Sequence, residues 1–339
     1  MRAEVMPSGD KVGSVSDLAR ATPRPVRVGF LLVEGFALMS YASIIEPFRA
    51  ANILSGRELY EWHHYSVDGE TVRPSTGVTM QVDGKIEGDL DIDMIFVCVG
   101  GNPAVFDNRA TFAALRKLGV RGILIGGVSG GPFLLARAGL LEGRRCTIHW
   151  EHEPAFVETF PNLALERCLF VNDRNRITSA GGPEGLDLVA ELIAEAHGPG
   201  LAQSVADWHI RTQKRSGESS QRASVSQRYR VSHPGLVLAL EAMEANKETL
   251  LERDELASIA GVSLRQLERL FKSQMRTTMR EHYLRIRLDE SMRLLRETDL
   301  SRAMVSVACG FASTTHFSRT FRRRFGMSPG KARATSQYA

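Results

Sequence analysis

Gly127-Val128-Ser129-Gly130-Gly131 sets one hydroxyl among small residues, where an apolar run gives way to helical spacing. Such a strand-to-helix elbow holds a nucleophile in a strained turn with its side chain presented outward. His149, beside Trp150, is the candidate base. Serine is a weak nucleophile unless a His and an orienting acid activate it, and spacing gives His149 no clear Asp partner. Three readings therefore stand together: a catalytic Ser129, a hydroxyl that contacts a bound ligand, and a purely structural turn. The missing acid favours the second. A helix starting near Gly130 would present unpaired backbone N–H groups and a positive dipole end to a carboxylate through Gly130 and Gly131. Gly100-Gly101 ends another strand, so Gly101 would bring further N–H groups to the same carboxyl-end crevice.

A second kind of chemistry is written twice near the C-terminus. Ser263-x-x-x-Leu267-x-x-x-Phe271 returns about 50 residues later as Ser313-x-x-x-Phe317-x-x-x-Phe321. Before the first copy, Leu256, Ile259 and Ala260 lead through Gly261; before the second, Met304, Val307 and Ala308 lead through Gly310. A short helix, a turn with Gly and a Ser-capped helix is the sequence form of a helix-turn-helix, and two copies on one basic segment point to DNA. The spacing buries Leu267, Leu270, Phe271, Phe317 and Phe321. It leaves Arg265, Glu268 and Arg269 on the open face of one helix, and Thr314, Thr315, His316 and Arg319 on that of the other. Arg can bond a guanine edge through two hydrogens, Glu can accept from cytosine and Thr can touch a thymine methyl. Lys272, Arg322, Arg323 and Arg324 suit phosphates.

The charge balance separates the two regions. Residues 1–210 carry 19 Lys and Arg against 26 Asp and Glu, whereas residues 211–339 carry 24 against 13. One region is thus suited to a polyanion and the other to something else. No apolar run reaches the roughly 18 to 20 residues of a membrane span. Residues 1–24 read as a disordered tail, not a signal peptide. Cys98, Cys146, Cys168 and Cys309 have no zinc-type spacing and read as reduced thiols of a cytoplasmic protein. No cofactor or metal is called for.

The positioning elements follow. Strands are expected over Val26–Val33, Trp62–Val67, Asp93–Val99, Gly122–Ile125 and Arg176–Ser179. Helices are expected over Ser40–Leu54, Thr111–Leu118, Gly130–Ala138 and Glu184–His197. Their alternation predicts an α/β sandwich with an open, mainly parallel sheet, within a domain over 25–212. Residues 213–227 lack large apolar side chains apart from Val225, and the exposed linker is set at 213–230. An all-α domain with two helix-turn-helix motifs fills 231–339, its halves joined by a long helix over Met279–Arg296.

The all-α segment resembles the AraC/XylS transcription regulators. The likeness lies in Leu267-x-Arg269-Leu270-Phe271, in Val307-Ala308-Cys309-Gly310-Phe311, and in Ser313-x-x-His316-Phe317-Ser318-Arg319 through Phe325-Gly326-x-Ser328-Pro329. It implies that the open-face residues enter the major groove. The chain departs from the family at Arg276 and Met279, where Gly and Pro are common, and at Ala332, where an aromatic residue is usual.

The first domain resembles the class I glutamine amidotransferase-like superfamily in its ThiJ/PfpI form. The likeness runs through Glu34-Gly35-Phe36, Glu46-x-Phe48-Arg49-Ala50-Ala51-Asn52, the elbow, Leu134 to Gly143, and Thr147-x-His149-Trp150. In the enzymes of that superfamily the elbow residue is Cys; here it is Ser129, and the neighbouring acid position is Ser40. The fusion is similar to GlxA-type regulators, among them regulators of glycine betaine, carnitine or arginine catabolism. The resemblance implies a zwitterionic effector, its cation caged by Phe36, Tyr41 or Trp150 with Glu34 nearby; core packing is the alternative for each ring. It also implies double-stranded DNA and RNA polymerase as partners and a homodimer. The competing class is a ThiJ/PfpI-like hydrolase or amidotransferase that a helical domain localises on DNA.

Overall fold

The computed structural model of the protein describes residues 24–298 and 300–336, so the tail expected over 1–24 lies almost wholly outside the described residues. The chain divides after Gln221 into two compact units. In the first, the elements run β1 (Val26–Leu32), α1 (Leu38–Ser55), β2 (Tyr60–Ser66), β3 (Gly84–Lys85), β4 (Met94–Val99), α2 (Arg109–Val120), β5 (Leu124–Ser129), α3 (Gly131–Arg137), β6 (Arg145–Cys146), α4 (Glu153–Thr159), β7 (Ala164–Leu165), β8 (Phe170–Asp173), β9 (Arg176–Ser179), α5 (Gly185–His197) and α6 (Pro199–Trp208). Seven strands form one sheet in the order β3-β2-β1-β4-β5-β9-β8. Its pairs are parallel except the edge hairpin β8–β9.

A parallel sheet is covered on both faces, and the sequence obeys this residue by residue. Phe30, Leu32, Phe96 and Cys98 pack with Ile44 and Phe48 of α1 and with Leu188 and Leu192 of α5. Their neighbours Leu31, Ile95, Val97 and Val99 pack with Leu115 of α2 and Phe133 of α3 on the other side. Every residue of β4 is buried. Each large apolar side chain buried this way contributes about 1.5–3 kcal/mol.

The linker expected over 213–227 is exposed at most of its positions, but its first part is anchored to the first unit. Arg215 bonds to Glu184 at 2.7 Å. The Gly217 carbonyl accepts from the N–H groups of Leu169 at 2.8 Å and Phe170 at 3.3 Å. These polar residues dock by charge and backbone, and that leaves no apolar signature. Val225–Tyr229 is helical (α7), started by a Ser224–Gln227 capping box.

The second unit continues with α8 (Pro234–Ala245), α9 (Arg253–Ile259), α10 (Leu264–Gln274), α11 (Met279–Glu297), α12 (Arg302–Ala308), α13 (Thr314–Phe325) and α14 (Pro329–Ser336). Helix α11 spans 19 residues, or about 28 Å at 1.5 Å per residue. It serves two cores. Met279, Tyr283 and Ile286 pack with Leu267 and Phe271, and Leu288 and Leu295 pack with Phe317 and Phe321. All five residues expected inside the recognition helices are buried, whereas Ile259, Met304 and Val307 stand outward at 43%, 55% and 62% exposure. One helical turn of α11 reaches both halves of the unit, Tyr283 at the loop between α8 and α9 and Arg287 at the turn between α12 and α13. The Tyr283 hydroxyl donates to the Asn246 carbonyl and accepts from the Leu251 N–H. Arg287 donates to the carbonyls of Cys309 at 2.7 Å and Gly310 at 2.5 Å, its guanidinium 4.2 Å over the Phe311 ring. Arg276 takes the left-handed conformation at φ +52°, where the family often has Gly; the strain is on the order of 1–2 kcal/mol.

His282 is buried in the first of these cores, its ring 5.0 Å from Tyr229, and its Nε2 has no hydrogen-bond partner among the described residues. Burial, with Arg285 nearby, pulls its pKa down to about 4 from 6.5. The unfolded chain therefore binds this proton more readily. Stability is intact above pH 6.5 and should fall as pH drops toward 4, by up to about 3 kcal/mol. Urea unfolding of the second unit at stepped pH checks this. His282→Phe should flatten the slope, and an unchanged slope would contradict the assignment.

Candidate functional site

Backbone packing builds the elbow. A Cβ on Gly131 would lie 2.1 Å from the Val97 carbonyl oxygen, and one on Gly127 would lie 2.7 Å from the Pro132 nitrogen, so α3 can begin this close to β4 only through glycine. Ser129 is buried at φ +60°, a conformation that side-chain-bearing residues rarely adopt. Gly181 separates it from Ser40: a Cβ there would meet Ser40 Oγ at 2.6 Å and Ser129 Cβ at 2.8 Å.

Among the described residues the Ser129 hydroxyl makes no hydrogen bond, to a base or otherwise. The His149 N–H reaches the Ser129 carbonyl at 3.3 Å, but the ring Nδ1 accepts from the Glu151 N–H at 3.3 Å. Burial holds the imidazole below its ordinary pKa, so it is neutral near pH 7 with its Nδ1 lone pair turned from the serine. Ser40 Oγ accepts from the Gly182 N–H at 2.8 Å. All four cysteines are buried, and burial pushes the Cys146 and Cys309 thiols up to about 12.

Three expectations need correction. Helix α3 offers an anion few donors: the Gly130 N–H is taken by the Val99 carbonyl at 3.0 Å, that of Phe133 by Gly130 at 3.1 Å, and Pro132 has none. Phe36 offers a ligand no face, because it is fully buried with its ring 5.7 Å from Tyr41. Tyr41 is buried as well, sharing a 2.7 Å hydrogen bond with His64 Nε2. Trp150 is 38% exposed, 5.4 Å from the His149 ring.

The open space lies beside the elbow. A cavity of about 600 Å³ occupies the carboxyl ends of β1, β2 and β4, the crevice where open α/β sheets bind ligands. Of the expected residues, Glu34 and Gly101 line it; Ser129, Gly130, Gly131, His149, Trp150 and Phe36 do not. Its wall carries the carboxylates of Glu34, Asp68 and Asp107 and no Lys or Arg. Asn102 and Asn108 also line it, each using its side-chain oxygen to cap a helix; their amide N–H groups make no hydrogen bond among the described residues. Sequence reasoning missed Asp68, Asn102, Asp107 and Asn108, and the hydroxyls of Ser66 and Thr71 that also line the space. The only signal was the helix-capping pattern at Asn108.

The second unit presents two recognition helices. Ser263 caps α10 by accepting from the Gln266 N–H, and Ser313 caps α13 by accepting from the His316 N–H. Arg265, Glu268, Arg269 and Lys272 are exposed on α10, and Thr315, His316, Arg319, Arg322 and Arg323 on α13; Thr314 is half-buried. Glu268 pairs with Arg253. Arg265, Arg269, Lys272, Arg319 and Arg322 form no ion pair among the described residues, so their charges are available to a duplex. Arg324 corrects the expected phosphate set: it is held by Asp289 of α11 at 2.6 and 2.8 Å. Arg302, Arg319, Arg322 and Arg323 surround a concavity at the start of α14.

Comparison with known proteins bears on both units. The DJ-1/PfpI family model matches residues 26–195, and a helix-turn-helix domain model matches 256–335. The chain is 43% identical over 312 residues to the HTH-type transcriptional regulator GlxA of Rhizobium meliloti, covering 91% of this chain and 96% of that protein. It is 44% identical over 305 residues to the HTH-type transcriptional regulator CdhR of Pseudomonas aeruginosa, covering 90% of each. A crystal structure of an AraC family transcriptional regulator from Pseudomonas putida superposes with a TM-score of 0.50 at 25% identity, over 55% of this chain and all of that one.

Two outcomes are expected. Arg269→Ala and Arg319→Ala should each cost about 1–3 kcal/mol at a cognate DNA site if each reads a base; equal losses on random DNA in a salt-titrated binding assay would make them phosphate contacts. With ester and amide substrates, the wild-type chain should turn over no faster than Ser129→Ala. A rate lost in that variant would make the elbow catalytic.

Proposed function

Since this chain belongs to the DJ-1/PfpI family and to the HTH-type transcriptional regulators that carry that domain, we propose that its first unit is the effector sensor of a DNA-binding regulator, and that the acidic cavity at the sheet's carboxyl edge is where the effector sits. DNA binding belongs to the second unit. The effector in this reading is a small zwitterion with a cationic nitrogen, a quaternary ammonium compound or an amino acid, and the regulator activates a catabolic operon. The carrying observation is the cavity wall, with Glu34, Asp68 and Asp107 and no basic residue. Three carboxylates set around one space attract a cation and repel an anion, while the amides of Asn102 and Asn108 supply donors for a carboxylate. Charge thus replaces the aromatic cage as the source of selectivity. By family resemblance the regulator acts in the cytoplasm as a homodimer beside RNA polymerase; no helix among the described residues is long and apolar enough to cross a membrane.

The test uses glycine betaine, carnitine and arginine as probes, with isovalerate as an uncharged-headed control. A probe held at 100 times its dissociation constant should stabilise the first unit by about 2.7 kcal/mol. Glu34→Gln combined with Asp107→Asn should weaken that probe at least tenfold in calorimetry. Equal binding of isovalerate, or undiminished affinity in the double variant, would remove the cavity from the reading.

A further inference from the structure

The segment that enters the DNA-binding unit is fastened at its end to the stretch around His149, next to the elbow. Gln221 is the last residue of the first unit and Arg222 the first of the second. The Gln221 amide uses both of its ends. Its Oε1 accepts from the Trp150 N–H at 2.7 Å. Its Nε2 donates to the carbonyls of Ile148 at 2.9 Å and Cys168 at 2.8 Å, with Thr147 Oγ1 at 3.2 Å. These partners sit in a buried polar notch, in which Thr147 Oγ1 donates to the Cys168 carbonyl at 2.8 Å and the Thr147 N–H reaches Thr178 Oγ1 at 2.9 Å. Between the two backbone groups that Gln221 grips stands His149, whose own N–H is bonded to the Ser129 carbonyl. One residue therefore faces the elbow while its two neighbours hold the departing chain.

We propose that Gln221 is a positioning residue that couples the Ser129–His149 elbow to the segment leading into the DNA-binding unit, so that a shift of the elbow, joined to the cavity wall where the Gly130 N–H meets the Val99 carbonyl, loosens or tightens the last anchor before Arg222. This rests on the sensor reading of the first unit and names its output. The chemistry of the notch selects the residue. Two carbonyls require a donor and one N–H requires an acceptor at the same side-chain head, which an amide supplies and a carboxylate does not. Asn carries the same head one methylene short. Behind this anchor the Ser220 carbonyl accepts from Arg215 Nη2 at 2.7 Å, and Gly217 lies beneath the Phe170 ring, where an added Cβ would lie 2.7 Å from Cε2. Opening of the anchor frees the Gln221 end of the segment.

Hydrogen exchange in the full-length chain tests the coupling without any ligand. Gln221→Ala and Gln221→Glu should each speed exchange over residues 213–221 and at the Trp150 N–H at least tenfold. Ser129→Leu, which crowds the elbow, should speed the same segment several-fold in the wild-type background and add nothing on top of Gln221→Ala. Should Ser129→Leu fail to fold, His149→Ala replaces it in the cycle. Unchanged exchange over 213–221 in both Gln221 variants would overturn the proposal, as would an elbow substitution whose full effect persists without Gln221. Probes that fail in calorimetry would sink the effector reading alone, because this cycle uses none.

Discussion

Backbone meets backbone at the carboxyl edge of the sheet more closely than a side chain permits, and the first unit is arranged around that approach. With Gly131 against the Val97 carbonyl and Gly127 against Pro132, α3 starts directly behind β4 and β5, and the chain must leave the sheet at Ser129 with a positive φ. The conformation costs on the order of 1–2 kcal/mol and persists because fully buried strands on either side over-determine it. This explains why the elbow keeps its shape without a thiol. The geometry comes from the glycines and the strand pairing, and the residue at the apex is carried there whatever its chemistry.

Much of this was legible in the sequence, and the failures share one cause. The strand from Arg176 to Ser179, the capped helices after Ser263 and Ser313, and the buried faces of Leu267, Phe271, Phe317 and Phe321 follow from periodicity and capping, which are local signals. Phe36 could not be assigned to cage or core, because a ring in a strand-to-helix loop has no period to read, and Tyr41, near the start of α1, carries a polar hydroxyl that suits either role. The docking of residues 211–221 was also illegible: Arg211 to Asp187, Arg215 to Glu184 and Gln221 to Ile148 join positions far apart in the chain, and polar contacts of that range leave no pattern. The acids of the cavity were missed for the same reason. Asp68 and Asp107 stand in separate loops that only the sheet order brings together.

The two units use opposite charge for related ends. Among the described residues no ion pair ties the carboxylates of Glu34, Asp68 and Asp107 at the cavity, or Arg265, Arg269, Arg319 and Arg322 on α10 and α13, while elsewhere Arg228 with Glu244 and Arg293 with Glu290 are paired at 2.6 Å. Unpaired charge at a surface adds little to folding. Its concentration at two places of opposite sign fits molecules that neutralise it only on binding.

Helix α11 carries a consequence for how such a chain can change over time. Tyr283 holds the loop before α9 and Arg287, a single helical turn on, holds the turn before α13, so the angle between the two reading heads is written into the residue count between them. Each residue added to or removed from the middle of the helix would swing one head about 100° around the axis relative to its twin, facing it away from the groove its partner occupies. Side chains along α11 can drift while its length cannot, whereas the loops around the sheet can lengthen freely. In a lineage of such regulators, operator spacing would then be the slowest trait to diverge and effector choice among the fastest.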